Sequence, residues 1–415
     1  MAGTRIPGRH MAAAWTGTPS FMEEVSREFA SDWADGIMKL VARIALLLCL
    51  ALAGTWAWHR WQRRAVDESI TANAASAATP LQAWAKAPPV KRAFYGRRLE
   101  PRDTVLHGAG QSDRQSFDAY SKAVAPARPM LMMRYVDLHD DLPKFFEHLR
   151  ADLGAAQDYL IPQIGISLNE GGGTHHYEAA TAAGKDDAAL EQICSGLQSL
   201  ARPVFVRPGY EFNGPWNGYA APSYVAAFRR IADAIHRCIP QEAAVVWDWS
   251  PDAELDQQRA GAPAAFAAAR WQQFYPGDAY VDWWGMNLFS PPTLSSAATR
   301  EFLAEADSRR FPVMIAESTL RGASVHDPHA AIYQWFAPYF GLLRGTKGIK
   351  AFCYIDWDWR IYPQWADWGD ARIESDATVL EFYRSHVLNA PGTTPWLSGG
   401  ADRITTRSVL RLDGR

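Results

Sequence analysis

From about residue 99 onward, short apolar runs alternate with longer stretches in which apolar residues recur every three or four positions. Eight runs read as strands: 104–108, 129–135, 159–166, 203–206, 243–249, 281–287, 311–316 and 350–355. They are continuous rather than alternating in polarity, as expected of parallel strands buried on both faces. The stretches between them predict helices, such as 187–200 and 224–237, the latter with Val225, Phe228, Ile231 and Ile235 along one stripe. Strands separated by helical crossovers predict a parallel sheet, and eight of them fit a closed (β/α)8 TIM barrel better than an open doubly wound sheet. No glycine fingerprint for a dinucleotide or phosphate follows the first strand. The run Gly171-Gly172-Gly173 follows the third and reads as a loop.

Ahead of this pattern lies a different one. Residues 40–58, LVARIALLLCLALAGTWAW, are apolar over about the length that crosses a bilayer, with Arg43 as the one charge. Read from Met38, the same stretch has the basic start, apolar centre and small residues of a secretory signal. The segment 38–58 is thus expected to be a single transmembrane helix, a signal anchor or a cleaved signal, with a membrane as partner in the anchored case. Residues 1–37 form an N-terminal extension, 59–98 a linker rich in Ala, Ser, Thr and Pro, 99–393 the catalytic domain and 394–415 a tail. The expected location is periplasmic or extracellular.

Composition narrows the chemistry. Of the 415 residues 48% are hydrophobic and 21% charged, so the chain supports a sizeable core. A net charge of −3 offers no basic field for phosphate, and nucleic acid is not an expected partner. The four cysteines and the histidines show no metal-ligand spacing, and neither a metal nor any other cofactor is expected. Cys194 and Cys238 fall near the ends of successive outer helices. They read by default as free buried thiols, with a disulfide as the alternative outside the cytoplasm. Eighteen tryptophans are many for this length, and indole faces suit both a core and the apolar faces of sugars.

In such a barrel, chemistry sits where strands end at their carboxyl side. There the sequence supplies His107 and Gln111, Arg134 and Asp137, Ser167 and Asn169, then Arg207, Tyr210, Glu211 and Asn213. Further on come Asp248, Asn287, Glu317, and Asp356 to Asp358. Two blocks stand out. VFVRPGYEFNGPWNGY (204–219) presents Glu211, Asn213 and Trp216 after a β-branched run, and FPVMIAESTLRG (311–322) ends an apolar strand in Glu317. A carboxylate there is costly unless used. A pair of them across a barrel rim is what glycosidic bond cleavage requires, one to protonate the leaving oxygen and one to attack or to activate water. Arg134 and Arg207 are candidate cations for Glu317, and Asn287 is a candidate ligand for substrate.

With RPGYEFNGPWNGY, YVDWWGMNLFS, IAESTLRG and the tryptophan of YIDWDWR, residues 99–393 resemble clan A glycoside hydrolases, and within them family 26. Its members include β-mannanases, β-1,3-xylanases and mixed-linkage glucanases. The resemblance implies a retaining endo-β-glycanase acting on a polysaccharide or oligosaccharide. Glu211 would be acid/base, Glu317 nucleophile and Trp357 a platform under the sugar, with Asn213 and Trp216 in the same cleft. The chain departs from the family pattern at Tyr210, where His is common, and at Phe289, where the clan often has Tyr. These departures support an alternative, a membrane-tethered barrel that binds glycan in exopolysaccharide handling without cleaving it.

Overall fold

The computed structural model describes residues 90–110, 113–154, 159–170, 175–259 and 271–387. Eight strands pair in parallel around a closed barrel: β1 (Leu106–Gly110), β2 (Leu131–Asp137), β3 (Ile161–Ser167), β4 (Val204–Pro208), β5 (Ala243–Trp249), β6 (Trp283–Leu288), β7 (Val313–Ser318) and β8 (Ile349–Ile355). All eight apolar runs of the sequence are strands, several shifted two residues toward the polar end. A helix follows each: α1 (Arg114–Ala123), α2 (Leu142–Leu153), α3 (Asp187–Leu200), α4 (Ala221–Cys238), α5 (Pro251–Arg259), α6 (Ala297–Ser308), α7 (Ala337–Gly345) and α8 (Ala377–Val387). In α4 the apolar stripe buries Phe228, Ile231 and Ile235 and turns the arginines outward. Trp247, Trp249 and Trp284 are core, in an aromatic layer that includes Phe302 of α6, and Trp283 is buried on the opposite face of β6 against Phe205.

The strand before each helix ends at one rim of the barrel, and the helices return the chain to the other. That second rim is closed by residues 90–103. The Arg92 guanidinium donates to the carbonyls of Leu343, Arg344 and Thr346 at 3.0, 2.8 and 2.8 Å, capping the carboxyl end of α7. Lys350, wholly buried at the start of β8, donates to Ala93 O and Arg102 O at 2.7 and 2.6 Å. The indole of Trp283 donates to Arg98 O at 2.7 Å. Residues 90–98, expected to be linker, are therefore part of the barrel floor, because Arg92 caps α7 and the Ala93 carbonyl satisfies Lys350, the cation that β8 buries.

The default reading of the cysteines is corrected. Cys194 of α3 and Cys238 of α4 are disulfide-bonded with their Cα atoms 5.8 Å apart, since adjacent outer helices bring the two positions face to face. Cys353 is a free buried thiol. The apolar segment 38–58, the extension 1–37, the tail 394–415, Gln111 and the triple glycine lie outside the described residues. Among the described residues no helix is long and apolar enough to cross a membrane.

Candidate active site

At the end of β4 the chain turns through Gly209 (φ +55°) and Glu211 (φ +52°), both in the left-handed region. Glycine is required at the first, where a Cβ would lie 2.7 Å from the Tyr224 ring. At the second a glutamate carries the strain, a conformation that persists only where its surroundings enforce it and that concentrates at functional sites. Asn217 supplies that enforcement: its amide donates to the carbonyls of Tyr210 and Glu211 at 2.9 and 3.0 Å. The turn delivers the Glu211 carboxyl to the mouth of the barrel. There Trp216 Nε1 donates to Oε2 at 2.9 Å and Asn287 Nδ2 to Oε1 at 3.1 Å.

Glu317 at the end of β7 faces the same mouth. Arg207 Nη1, completely buried, donates to Glu317 Oε1 and to Asp248 Oδ2, each at 2.7 Å. Burial pulls the guanidinium down, but the charges of Glu317 and Asp248 outweigh it and hold Arg207 above its ordinary value. Burial pushes Asp248 up to about 7 against the pull of Arg207. Burial, and next the charge of Glu317, push the Glu211 carboxyl up to about 8, while the Asn287 hydrogen bond holds it back. The two glutamates thus occupy different environments: one has a cation on its oxygen, the other is kept protonated at neutral pH.

Both carboxyls open into a cleft of about 1090 Å³. Tyr135 and Tyr210 form one wall, their ring centroids 5.4 Å apart. The opposite wall comes from the loop after β8, where Trp359, Trp365 and Trp368 line the cleft and Phe289 rests on Trp368 at 5.2 Å. Asp370 anchors that loop through Arg360 and Arg372 at 3.1 and 2.8 Å. Trp216 and Trp365 are 37% and 40% exposed, so each offers an indole face to a ligand in the cleft. Among the described residues no cluster of three or more His, Cys, Asp or Glu is placed to hold a metal.

Of the positions singled out in sequence, the structure brings together Glu211, Glu317, Arg207, Tyr210, Trp216 and Asn287. It does not bring in four others. Arg134 sits on the outward face of β2, pairs with Asp152 of α2 at 2.9 Å and is not a group for Glu317. Asn213 is used up locally, exchanging two hydrogen bonds with the Ser250 backbone at 2.8 and 3.0 Å. Trp357 packs half-buried against the core and does not line the cleft, a role taken by the tryptophans two, eight and eleven positions later. His107 lies on the outward face of β1, under α1, its imidazole bonded to Tyr120 at 2.6 Å and its pKa pushed down to about 3 by burial.

Residues 176–341 match the family model of Glycosyl hydrolase family 26. A β-1,3-xylanase of Alcaligenes sp is 27% identical over 314 residues, covering 67% of this chain and 62% of the relative. Another, from Vibrio sp, is 26% identical over the same length, covering 67% and 63%. A mannan endo-1,4-β-mannosidase of Bacillus subtilis is 28% identical over 126 residues, covering 27% and 31%. The chain spans less than two thirds of the length of these relatives. The matched residues include the Glu211 turn and the β7 end with Glu317. The family model, these relatives and the pair of strand-end glutamates support a place for the chain in clan A of the glycoside hydrolases, family 26.

Proposed function

We propose that this protein is a retaining β-glycanase that cleaves a polysaccharide by double displacement. The observation that carries the reading is the contrast between the two glutamates: Glu211 is held at about 8, and Glu317 is bound to Arg207 at 2.7 Å. In the first step a Glu317 oxygen attacks the anomeric carbon, the glycosidic bond breaks, and Glu211 gives its proton to the departing oxygen. In the second, Glu211, now a carboxylate, takes a proton from water as the water oxygen attacks the same carbon and Glu317 departs. The indoles of Trp216 and Trp365 provide stacking faces along the cleft.

The substrate is a β-linked glycan, and the names of the relatives make β-1,3-xylan and β-1,4-mannan the first to try. Action is extracytoplasmic, supported by the Cys194–Cys238 bond and by the apolar sequence at 38–58. The deciding experiment is mechanism-based trapping with 2,4-dinitrophenyl 2-deoxy-2-fluoro-β-glycosides of xylose and mannose. Mass spectrometry is expected to find one glycosyl adduct, on Glu317. A folded protein that forms no adduct with either sugar, or forms it elsewhere, sinks the reading and favours the non-cleaving barrel.

A further inference from the structure

Phe289 stands at the end of β6, and its ring lies on Trp368, so that strand brings no hydroxyl to Glu317. The ion pair from Arg207 engages only Oε1 of Glu317. One hydrogen bond leaves the carboxylate free to turn about its last bond, a broad two-fold torsion. Attack in line with the anomeric carbon calls for that rotation to be fixed before the substrate arrives.

On the far side of the barrel mouth, Tyr135, Gly165 and Arg207 form a row across β2, β3 and β4, paired residue to residue. Residues so paired point to the same face, and here that face is the barrel interior. Gly165 leaves a gap in the row. A Cβ there would sit 3.0 Å from the rings of both Tyr135 and Tyr210, so the glycine is what lets the two rings lean over β3 toward the mouth. The Tyr135 ring lies 5.6 Å from the Arg207 guanidinium carbon. Its hydroxyl donates to Met133 Sδ at 3.4 Å, and Arg207 Nη2 donates to the same sulfur at 3.5 Å. A thioether is a weak acceptor. The phenol is parked on it beside a carboxylate, a much stronger one.

We propose that Tyr135 is a positioning residue for Glu317: its hydroxyl, delivered from β2 through the gap at Gly165, fixes the carboxylate that Arg207 holds by one oxygen alone. The inference rests on Glu317 being the nucleophile. It is supported by the phenol's titration, which burial and then the charge of Glu317 push well above the ordinary tyrosine value. Arg207 thus supplies charge and Tyr135 supplies direction.

The test compares wild type with Tyr135→Phe, which keeps the ring and its packing. The probe is the 2,4-dinitrophenyl 2-deoxy-2-fluoro-β-glycoside that labels wild type, and the readouts are the limiting rate of adduct formation and the half-saturating concentration. The limiting rate is expected to fall about 10- to 100-fold, the loss of one hydrogen bond to a charged group, with half-saturation within about threefold. The thermal midpoint should hold, and the adduct should stay on Glu317. The loss should also be the same for a fluoride leaving group, because the nucleophile acts on every substrate alike. Wild type labelled at Glu317 with a Tyr135→Phe limiting rate within twofold overturns the proposal alone. Wild type that is never labelled at Glu317 overturns the retaining reading, and this proposal with it.

Discussion

At the floor of the barrel, Lys350 and Arg92 are buried cations whose acceptors are backbone carbonyls of the floor segment, α7 and the start of β8. At the mouth, the equally buried Arg207 sits between two carboxylates, Glu211 holds a left-handed backbone, and Asp248 Oδ1 and Asn287 Oδ1 have no hydrogen-bond partner. Each such orphan costs about 1 to 3 kcal/mol. The floor spends its charges on tying down the chain. The mouth keeps the charge of titrating carboxyls unresolved, as a site must if its groups are to find their partners in a transition state. Barrels of this kind divide the two duties between their ends.

The largest expected effect that breaks or sharpens this contrast is at the mouth. Glu211→Ala should lower kcat on a polysaccharide by about 10²- to 10⁴-fold, the usual worth of a general acid. On a dinitrophenyl glycoside the glycosylation step should stay close to wild type, because that leaving group departs without a proton. Stopped-flow release of dinitrophenol against reducing-sugar assays separates the two. The thermal midpoint should not fall, since the carboxyl removed is buried with a proton it takes up at a cost and alanine keeps the same left-handed backbone. A large loss of stability would show that Glu211 also holds the fold together, and the division between the ends would fail.

The floor should answer in the opposite way. Lys350→Met fills the same channel with an apolar chain but strips the donors from Ala93 O and Arg102 O, and is expected to cost about 1 to 3 kcal/mol in chemical denaturation. Its kcat and KM should match wild type, because β8 transmits nothing from its first residues to the cleft except its own position. A variant of full stability with altered kinetics would mean that the two ends are coupled.

The same contrast explains what was readable in the sequence. Strand runs and the strand-end glutamates follow from local polarity, so the barrel and the Glu211 and Glu317 pair were legible. Which face a strand residue takes is a matter of parity, and one step exchanges inside for outside. On β2 the charged residue, Arg134, drew the eye, yet it faces α2 and its neighbour Tyr135 faces the mouth. The floor was hidden for another reason: residues 90–98 carry little apolar patterning, and they are held through backbone carbonyls that no side-chain code reveals. Likewise the distance from Trp357 to the tryptophans that line the cleft depends on short 3-10 turns over residues 359–368, whose geometry is set by the Asp370 ion pairs.

The smallest effect is the most specific to the mouth. With Glu211 at about 8, the acid form is lost as pH rises through that value. For a polysaccharide kcat/KM should be halved near pH 8 and then fall about tenfold per unit. Burial is the largest cause of the shift, and the N–H of Asn287 opposes it by favouring the charged form. Asn287→Leu is close in size, keeps water out and deletes only that donor, so the alkaline limb should move upward, by about half a unit. A downward move would mean that the amide's main service is to keep the carboxyl dry, and that hydration rather than hydrogen bonding tunes the acid. In either case Lys350→Met should leave the limb where it is, because the floor and the mouth share no titrating group.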